Sequence, residues 1–367
     1  MRAPMLAAIT LHPSGGGIAV VSNLVWQVFA TRWNGQARLL TAFDHDSRPA
    51  TLYEKARLTI GVGAAQLRRR TDWILFSHLA LAQAQQFVPR PLRQPYGVFL
   101  HGIEAWTELS AGEKRAVAAA DLRVANSRYT AARVMAKHPD IGHVNACPLA
   151  LPPAISSASV DRPVSNSRDL TTRRDVGHHA VLVVGRMSQS ERYKGHDQLL
   201  DAWPRVVARV PDAQLLIVGE GDDAARLREK GAQTACAERI QFCGFVTDQE
   251  LRMLYTKSAL FALPSSGEGF GLVYLEAMTH RLACIGSNQD AASEIIVDGV
   301  TGRLVDQRNV AGLADAIATL LLDEPRRHAM GQAGYARATT EFTFDRFSAR
   351  LCELIERTDR AQRGLRN

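Results

Sequence analysis

Short apolar runs alternate with segments of helical periodicity along this chain, and the alternation occurs twice. Residues 6–11, 38–42, 73–76, 96–100 and 122–125 read as strands, with helical patterns at 18–30, 79–87 and 127–137. Strands of four to six residues separated by helices imply βαβ units, and a crossover of that length returns the chain in parallel. From 151 to 179 the pattern lapses into Pro, Ser, Asn, Asp, Thr and Arg, the composition of a linker. It then restarts, with strands at 180–184, 214–218, 240–242, 260–263 and 282–285 and helices at 198–210, 248–257, 271–280 and 310–322. The expected fold is α/β, two doubly wound parallel sheets facing a central cleft. The expected domains are 1–175, with the linker at about 152–179, then 180–345, and a final helical segment over 346–367.

A hydrophobic content of 46% and a charged content of 22% over 367 residues exclude a disordered chain. No apolar run approaches the ~18 to 20 residues that cross a bilayer. Met1–Leu11 has one basic residue and no small-residue cleavage pattern, and reads as a first buried strand rather than a signal peptide. The five cysteines are widely spaced and contain no CxxC, which points to a reducing, cytoplasmic setting. No HExxH is present among the scattered histidines, so neither a metal site nor a cofactor is expected. The net charge of +7 divides unevenly: 21 cations minus 12 anions gives +9 for residues 1–180, and 23 minus 25 gives −2 for 181–367. The basic half is expected to meet something anionic, unless it is merely an arginine-rich soluble face.

Four features fall at expected strand ends, where open α/β sheets bind ligands. Ser14-Gly15-Gly16-Gly17 would let backbone N–H groups approach an anion at a helix start; the alternative is a tight structural turn. Gly185-Arg186 and, eight residues on, Lys194 supply two cations suited to a diphosphate, or solvated loop charges. Glu268-Gly269-Phe270-Gly271 leads into a helical pattern carrying Glu276. Eight residues place Glu268 and Glu276 about 80° apart around a helix, so the spacing predicts one shared side and carboxylates for sugar or ribose hydroxyls. His101-Gly102, after the strand at 96–100, sets an imidazole at a strand end, functional or structurally satisfied. Cys243-Gly244-Phe245-Val246 offers either an apolar wall to a base or an ordinary turn.

The combination of glycine-rich first loop, Arg186, Lys194 and Gly-Glu268-Gly-Phe-Gly-x4-Glu276-Ala resembles the retaining, nucleotide-sugar-dependent glycosyltransferases of family 4, with the GT-B fold of two Rossmann-like domains. The resemblance runs over nearly the whole chain, in order. It implies that Arg186 and Lys194 neutralise the donor diphosphate, Glu276 holds ribose hydroxyls, and Glu268 with the Gly269–Gly271 backbone orients the sugar. It further implies that Gly16 and Gly17 approach the diphosphate, that His101 lies near the transferred sugar, and that residues 347–360 form a helix returning to the first domain. Catalysis is then metal-independent stabilisation of the leaving nucleoside diphosphate, with His101, Arg186, Lys194 and Glu268 as the catalytic set.

Segments around 192–197 and 101–106 are similar to those of enzymes extending bacterial polysaccharides on polyprenyl-diphosphate carriers. The implied reaction moves mannose from GDP-mannose to a saccharide or lipid-linked saccharide acceptor with an alpha linkage; a UDP-sugar donor and a sugar-nucleotide epimerase are the alternatives. Residues 52–70, with Lys55, Arg57 and Arg68-Arg69-Arg70, would rest peripherally on an anionic membrane surface, or form a solvated helix or loop because Gly61 and Gly63 interrupt the helical pattern. Basic patches interleaved with aromatics are missing, so no nucleic acid is expected as partner.

Overall fold

A computed structural model describes residues 3–12, 16–42, 51–153 and 176–364. Ser14, Gly15 and residues 154–175 of the expected linker lie outside the described residues. The chain forms two compact units, Met1–Pro152 with Thr343–Asn367, and Pro153–Phe342.

The first unit carries a parallel sheet ordered β2-β1-β3-β4-β5-β6. Its strands are β1 Pro4–Ala8, β2 Arg38–Thr41, β3 Trp73–Phe76, β4 Tyr96–Leu100, β5 Leu122–Ala125 and β6 Asn145–Ala146. Strands β1, β3 and β4 are buried at every position, as a sheet covered on both faces requires. Met5, Ala7, Ile74, Phe76, Val98 and Leu100 form part of one apolar cluster. The chain runs from β1 outward to β2 and then back across to β3, which puts the topological switch between β1 and β3. Helix α1 (Gly16–Arg32) follows β1.

Helix α2 (Leu52–Leu67) passes through Gly61 and Gly63 without a break, against the reading that these glycines interrupt it. Two glycines cost an exposed helix about 1 kcal/mol each. The Thr51 hydroxyl and Glu54 form a capping box at the helix start. Gly61 also lets the helix approach Leu40 of β2, because a Cβ there would sit 3.0 Å from Leu40 Cδ2.

The C-terminal helix Phe344–Gly364 packs on the first unit, as expected. Phe347, Leu351 and Ile355, at four-residue spacing, are fully buried. Its polar flank is stitched down by Arg350 to the Pro148 carbonyl (2.8 Å), Arg357 to Asn145 Oδ1 (2.8 Å) and Glu356 to Arg32 (2.8 Å).

The second unit repeats the architecture with order β12-β11-β10-β7-β8-β9, all parallel. The strands are β7 Ala180–Val184, β8 Gln214–Val218, β9 Ile240–Gly244, β10 Leu260–Leu263, β11 Ala283–Ser287 and β12 Gly302–Val305. Here the switch falls between β7 and β10. Helices α3 (His196–Arg209), α4 (Ala224–Ala232), α5 (Asp248–Lys257) and α6 (Leu272–Thr279) fill the crossovers. Short β6 and β12 escape the sequence pattern because neither carries an apolar run.

Candidate active site

At the switch of the second unit, two loops meet beyond the carboxyl ends of β7 and β10. The first, 185–195, starts with Gly185 N–H donating to the Val218 carbonyl (3.0 Å) and Met187 N–H to the Glu220 carbonyl (2.9 Å), so it is zipped to the loop after β8. The second, 264–271, is tied to it where Ser266 N–H donates to the Tyr193 carbonyl (2.9 Å). Only glycine fits at 195: its φ is +84° and a Cβ would stand 2.3 Å from the Pro264 carbonyl oxygen.

This junction brings together Arg186, Lys194 and Glu268. Lys194 Nζ lies 2.7 Å from Glu268 Oε1 and 4.0 Å from Glu191 Oε2, while Arg186 pairs with Glu191. The side chains of Lys194, Glu191 and Glu268 are only 13–15% exposed. Burial opposes the Lys194 ammonium charge, yet the adjacent Glu268 carboxylate outweighs it and raises the lysine above its ordinary value. Two cations and two carboxylates thus neutralise each other. Glu191, which the sequence reading passed over, bridges both cations.

The loop bearing these cations is itself pinned by a chain of ion pairs. Asp223, 2% exposed, accepts from Arg192 at 2.9 and 2.7 Å and from Arg226 at 2.9 and 2.6 Å. Arg226 continues to Asp197 (2.7 Å), and Lys230 joins Asp197 (2.9 Å) to Asp201 (2.8 Å). Arg226 and Arg192 hold the Asp223 carboxyl well below the usual carboxylate range. His196, 3% exposed at the start of α3, has no hydrogen-bond partner for Nε2 among the described residues. Burial, then the Lys194 charge, pushes its pKa down to about 4.

Glu268 and Glu276 do not share a helix. Gly271, at φ +93°, breaks the chain direction, and α6 begins only at Leu272. Glu268 therefore stands in the preceding loop, and the angular argument from eight-residue spacing fails. Glu276 lies on α6, its Oε2 accepting from the Tyr255 phenol at 3.1 Å; burial raises its pKa and that hydrogen bond partly offsets the rise. Phe270 is 2% exposed and packs edge-on against Phe342 at 6.0 Å, so its ring is part of the core. Phe245, 79% exposed after β9, has its N–H on Glu220 Oε1 at 3.2 Å.

In the first unit, Gly16 begins α1 at φ +64°. Gly17 follows, and among the described residues nothing lies within 4 Å of a Cβ added at either. Packing in this unit therefore does not require glycine at 17. His101 follows β4, its Nε2 2.5 Å from the Ser77 carbonyl. A carbonyl only accepts, so Nε2 is the donor in this bond. One ring nitrogen is thus structurally satisfied. His78, unremarked in the sequence, lies with its ring 6.0 Å from that of His101, and burial together with His101 lowers its pKa to about 4.

No group of three potential metal ligands exists among the described residues, and no helix there is long and apolar enough to cross a membrane. A cavity of about 310 Å³ elsewhere in the second unit is lined by Arg303, Asp306, Asn309, Asp315 and Arg326, and it contains none of the site residues.

Two parallel six-stranded sheets, the second with an ionic cluster at its switch point, have the architecture of the GT-B class. HepE of Anabaena, solved in complex with UDP, matches with a TM-score of 0.69 at 18% identity, covering 97% of this chain and 100% of HepE. Sucrose-phosphate synthase of Thermosynechococcus elongatus matches with a TM-score of 0.75 at 21% identity, covering 98% and 100%. The family model for glycosyl transferases group 1 matches residues 172–337. A GDP-mannose-dependent alpha-(1-6)-phosphatidylinositol monomannoside mannosyltransferase of Mycobacterium tuberculosis is 32% identical over 219 residues, 58% of this chain and 56% of that enzyme. The chain thus spans just over half the length of that curated relative. A GDP-mannose-dependent monoacylated alpha-(1-6)-phosphatidylinositol monomannoside mannosyltransferase of Corynebacterium glutamicum is 29% identical over 273 residues, 70% and 68% of the two chains.

Proposed function

We propose that the protein transfers mannose from GDP-mannose, with retention of configuration and without a metal, to a saccharide or lipid-linked acceptor. The observation that carries this reading is the Arg186–Glu191–Lys194–Glu268 cluster at the switch point of the second sheet. A donor diphosphate would take Arg186 and Lys194 from their carboxylates, and Glu268 would then be free to accept from sugar hydroxyls. Glu276 accepts from ribose, and the Gly269–Gly271 backbone lies beside the sugar. The cations stabilise charge growing on the departing diphosphate, and charges already held in place do so with little reorganisation. Gly16 and Gly17 would approach the diphosphate, and His101 would help position hydroxyls of the transferred sugar. The leaving phosphate oxygen takes the proton of the attacking acceptor hydroxyl.

The curated relatives support mannose and GDP, and their names support a lipid acceptor with a polar headgroup. Helix α2 supports contact with an anionic membrane surface. Tyr53, Ile60 and Leu67 recur every seventh residue and are 76%, 70% and 64% exposed, with Lys55, Arg57 and Arg68–Arg70 also exposed.

Incubation of the purified protein with radiolabelled GDP-mannose, UDP-glucose or UDP-galactose tests this, using polyprenyl-diphosphate saccharides or phosphatidylinositol vesicles as acceptor in EDTA. The expected result is alpha-linked mannosyl lipid from GDP-mannose alone. Transfer from a UDP-sugar alone overturns the donor, a free isomer formed without acceptor points to an epimerase, and no turnover of any donor overturns the enzyme.

A further inference from the structure

Asp290 follows β11 in the turn before the single helical turn Ala292–Ile295, and it is 1% exposed. Its Oδ2 accepts the Glu268 N–H (3.1 Å) and its Oδ1 the Ala292 N–H (2.9 Å). The Ser265 hydroxyl, itself fully buried, also bonds this carboxylate while accepting from Gly267 N–H at 3.1 Å. The adjacent Ala291 N–H donates to the Glu268 carbonyl at 3.2 Å. Glu268 is thus held through both its N–H and its C=O by two consecutive residues of another loop. The titratable groups facing Asp290 are Glu268, with Lys194 beyond it, and the Tyr274 phenol, which donates to the Leu263 carbonyl (2.5 Å).

A buried carboxylate is costly unless its lone pairs are satisfied. This one is satisfied largely by N–H groups whose position decides where Glu268 stands. We propose that Asp290 is a positioning residue for Glu268, its ionised carboxylate fixing the loop that sets the Glu268 side chain against Lys194. The proposal rests on the assignment of Glu268 to the donor sugar for its catalytic consequence, but not for the clamp itself. Asparagine cannot replace the carboxylate: with one backbone N–H on each oxygen, either orientation of the amide turns its NH2 against a donor. Protonation has a similar effect. Burial, and then the Glu268 charge, push the Asp290 pKa up to about 7, so acidification through neutrality places a hydrogen where an acceptor is needed.

The test compares the full-length protein with Asp290→Asn by hydrogen exchange of residues 265–271 and by consumption of GDP-mannose across pH. Exchange in that segment should accelerate at least tenfold while residues 180–184 are unchanged. The kcat should fall at least tenfold with KM for GDP-mannose within threefold, and the loss of wild-type activity below pH of about 7 should be absent from the variant. Unchanged exchange in 265–271 overturns the clamp. Faster exchange with wild-type kcat and an unchanged acid limb overturns the positioning role. Faster exchange in a protein whose wild type consumes no nucleotide sugar supports the clamp and overturns only the functional assignment. If Asp290→Asn fails to fold, Ser265→Ala removes one partner of the carboxylate, and about threefold faster exchange of the same segment is expected; no change overturns the proposal.

Discussion

The two switch points differ in how they hold their polar groups. In the second unit, Arg186, Glu191, Lys194 and Glu268 are mutually ion-paired and backed by the Asp223–Arg226–Asp197 chain. In the first unit, the ends of β1, β3 and β4 present Gly16, Gly17, His78 and His101, with one ring nitrogen of His101 spent on a carbonyl. The charge of +9 in residues 1–180 therefore does not mark where an anion would be gripped, and the half with charge −2 holds the two paired cations. Net charge reports on surfaces such as the exposed cations of α2; local pairing reports on sites. A cation held by a carboxylate at 2.7 Å is preorganised, and an anionic ligand has only to compete for it.

The largest effect that would sharpen this contrast is on turnover. Lys194→Ala or Glu268→Ala should each lower kcat by ~10² to 10³, the range for losing one preorganised transition-state contact, while circular dichroism stays that of the wild type. A turnover unchanged in both variants breaks the assignment of the cluster.

Next comes stability. Asp223→Asn leaves Arg192 and Arg226 without their shared carboxylate, and since both arginines are partly exposed the loss should be about 2 kcal/mol rather than that of a fully buried pair. Thermal melts should show Tm lower by roughly 4–8 °C. No shift would mean that the ionic chain does not anchor the loop.

The smallest effect is a pH slope. His196 has a pKa of about 4 in the folded protein, against about 6.5 unfolded, so between these values the folded state binds fewer protons. Its contribution is present above pH ~6.5 and is lost as pH falls toward 4. Asp290, raised to about 7, acts in the opposite sense, stabilising at low pH and losing that contribution as pH rises. The readable quantity is therefore a difference: between pH 6.5 and 4.5 His196→Asn should lose less Tm than the wild type. Parallel slopes would contradict the buried, neutral imidazole.

Much of this was legible in the chain itself. Apolar runs located ten of the strands, most plainly β1, β3 and β4, because a strand covered on both faces has no polar alternation to hide it. Glycines beside strand ends marked the loops of Gly185 and Gly267–Gly271. The roles of Asp223 and Asp290 were not legible, since each depends on a partner in another segment, and Glu191 was hidden because a lone acidic residue carries no periodicity. Helix α2 was obscured for the opposite reason: two glycines oppose it locally, while its cap and its contact with Leu40 favour it. The eight-residue spacing of Glu268 and Glu276 misled because Gly271 interrupts the helix between them.

The cations beyond β7 are proposed to grip a nucleoside diphosphate. Calorimetric titration of GDP, in EDTA, into the wild type and Lys194→Ala tests this most directly. The expected result is binding by the wild type and at least tenfold weaker affinity in the variant, about 1.4 kcal/mol or more. Equal affinity in the two proteins, or no binding of GDP, UDP or ADP by the wild type, would contradict it.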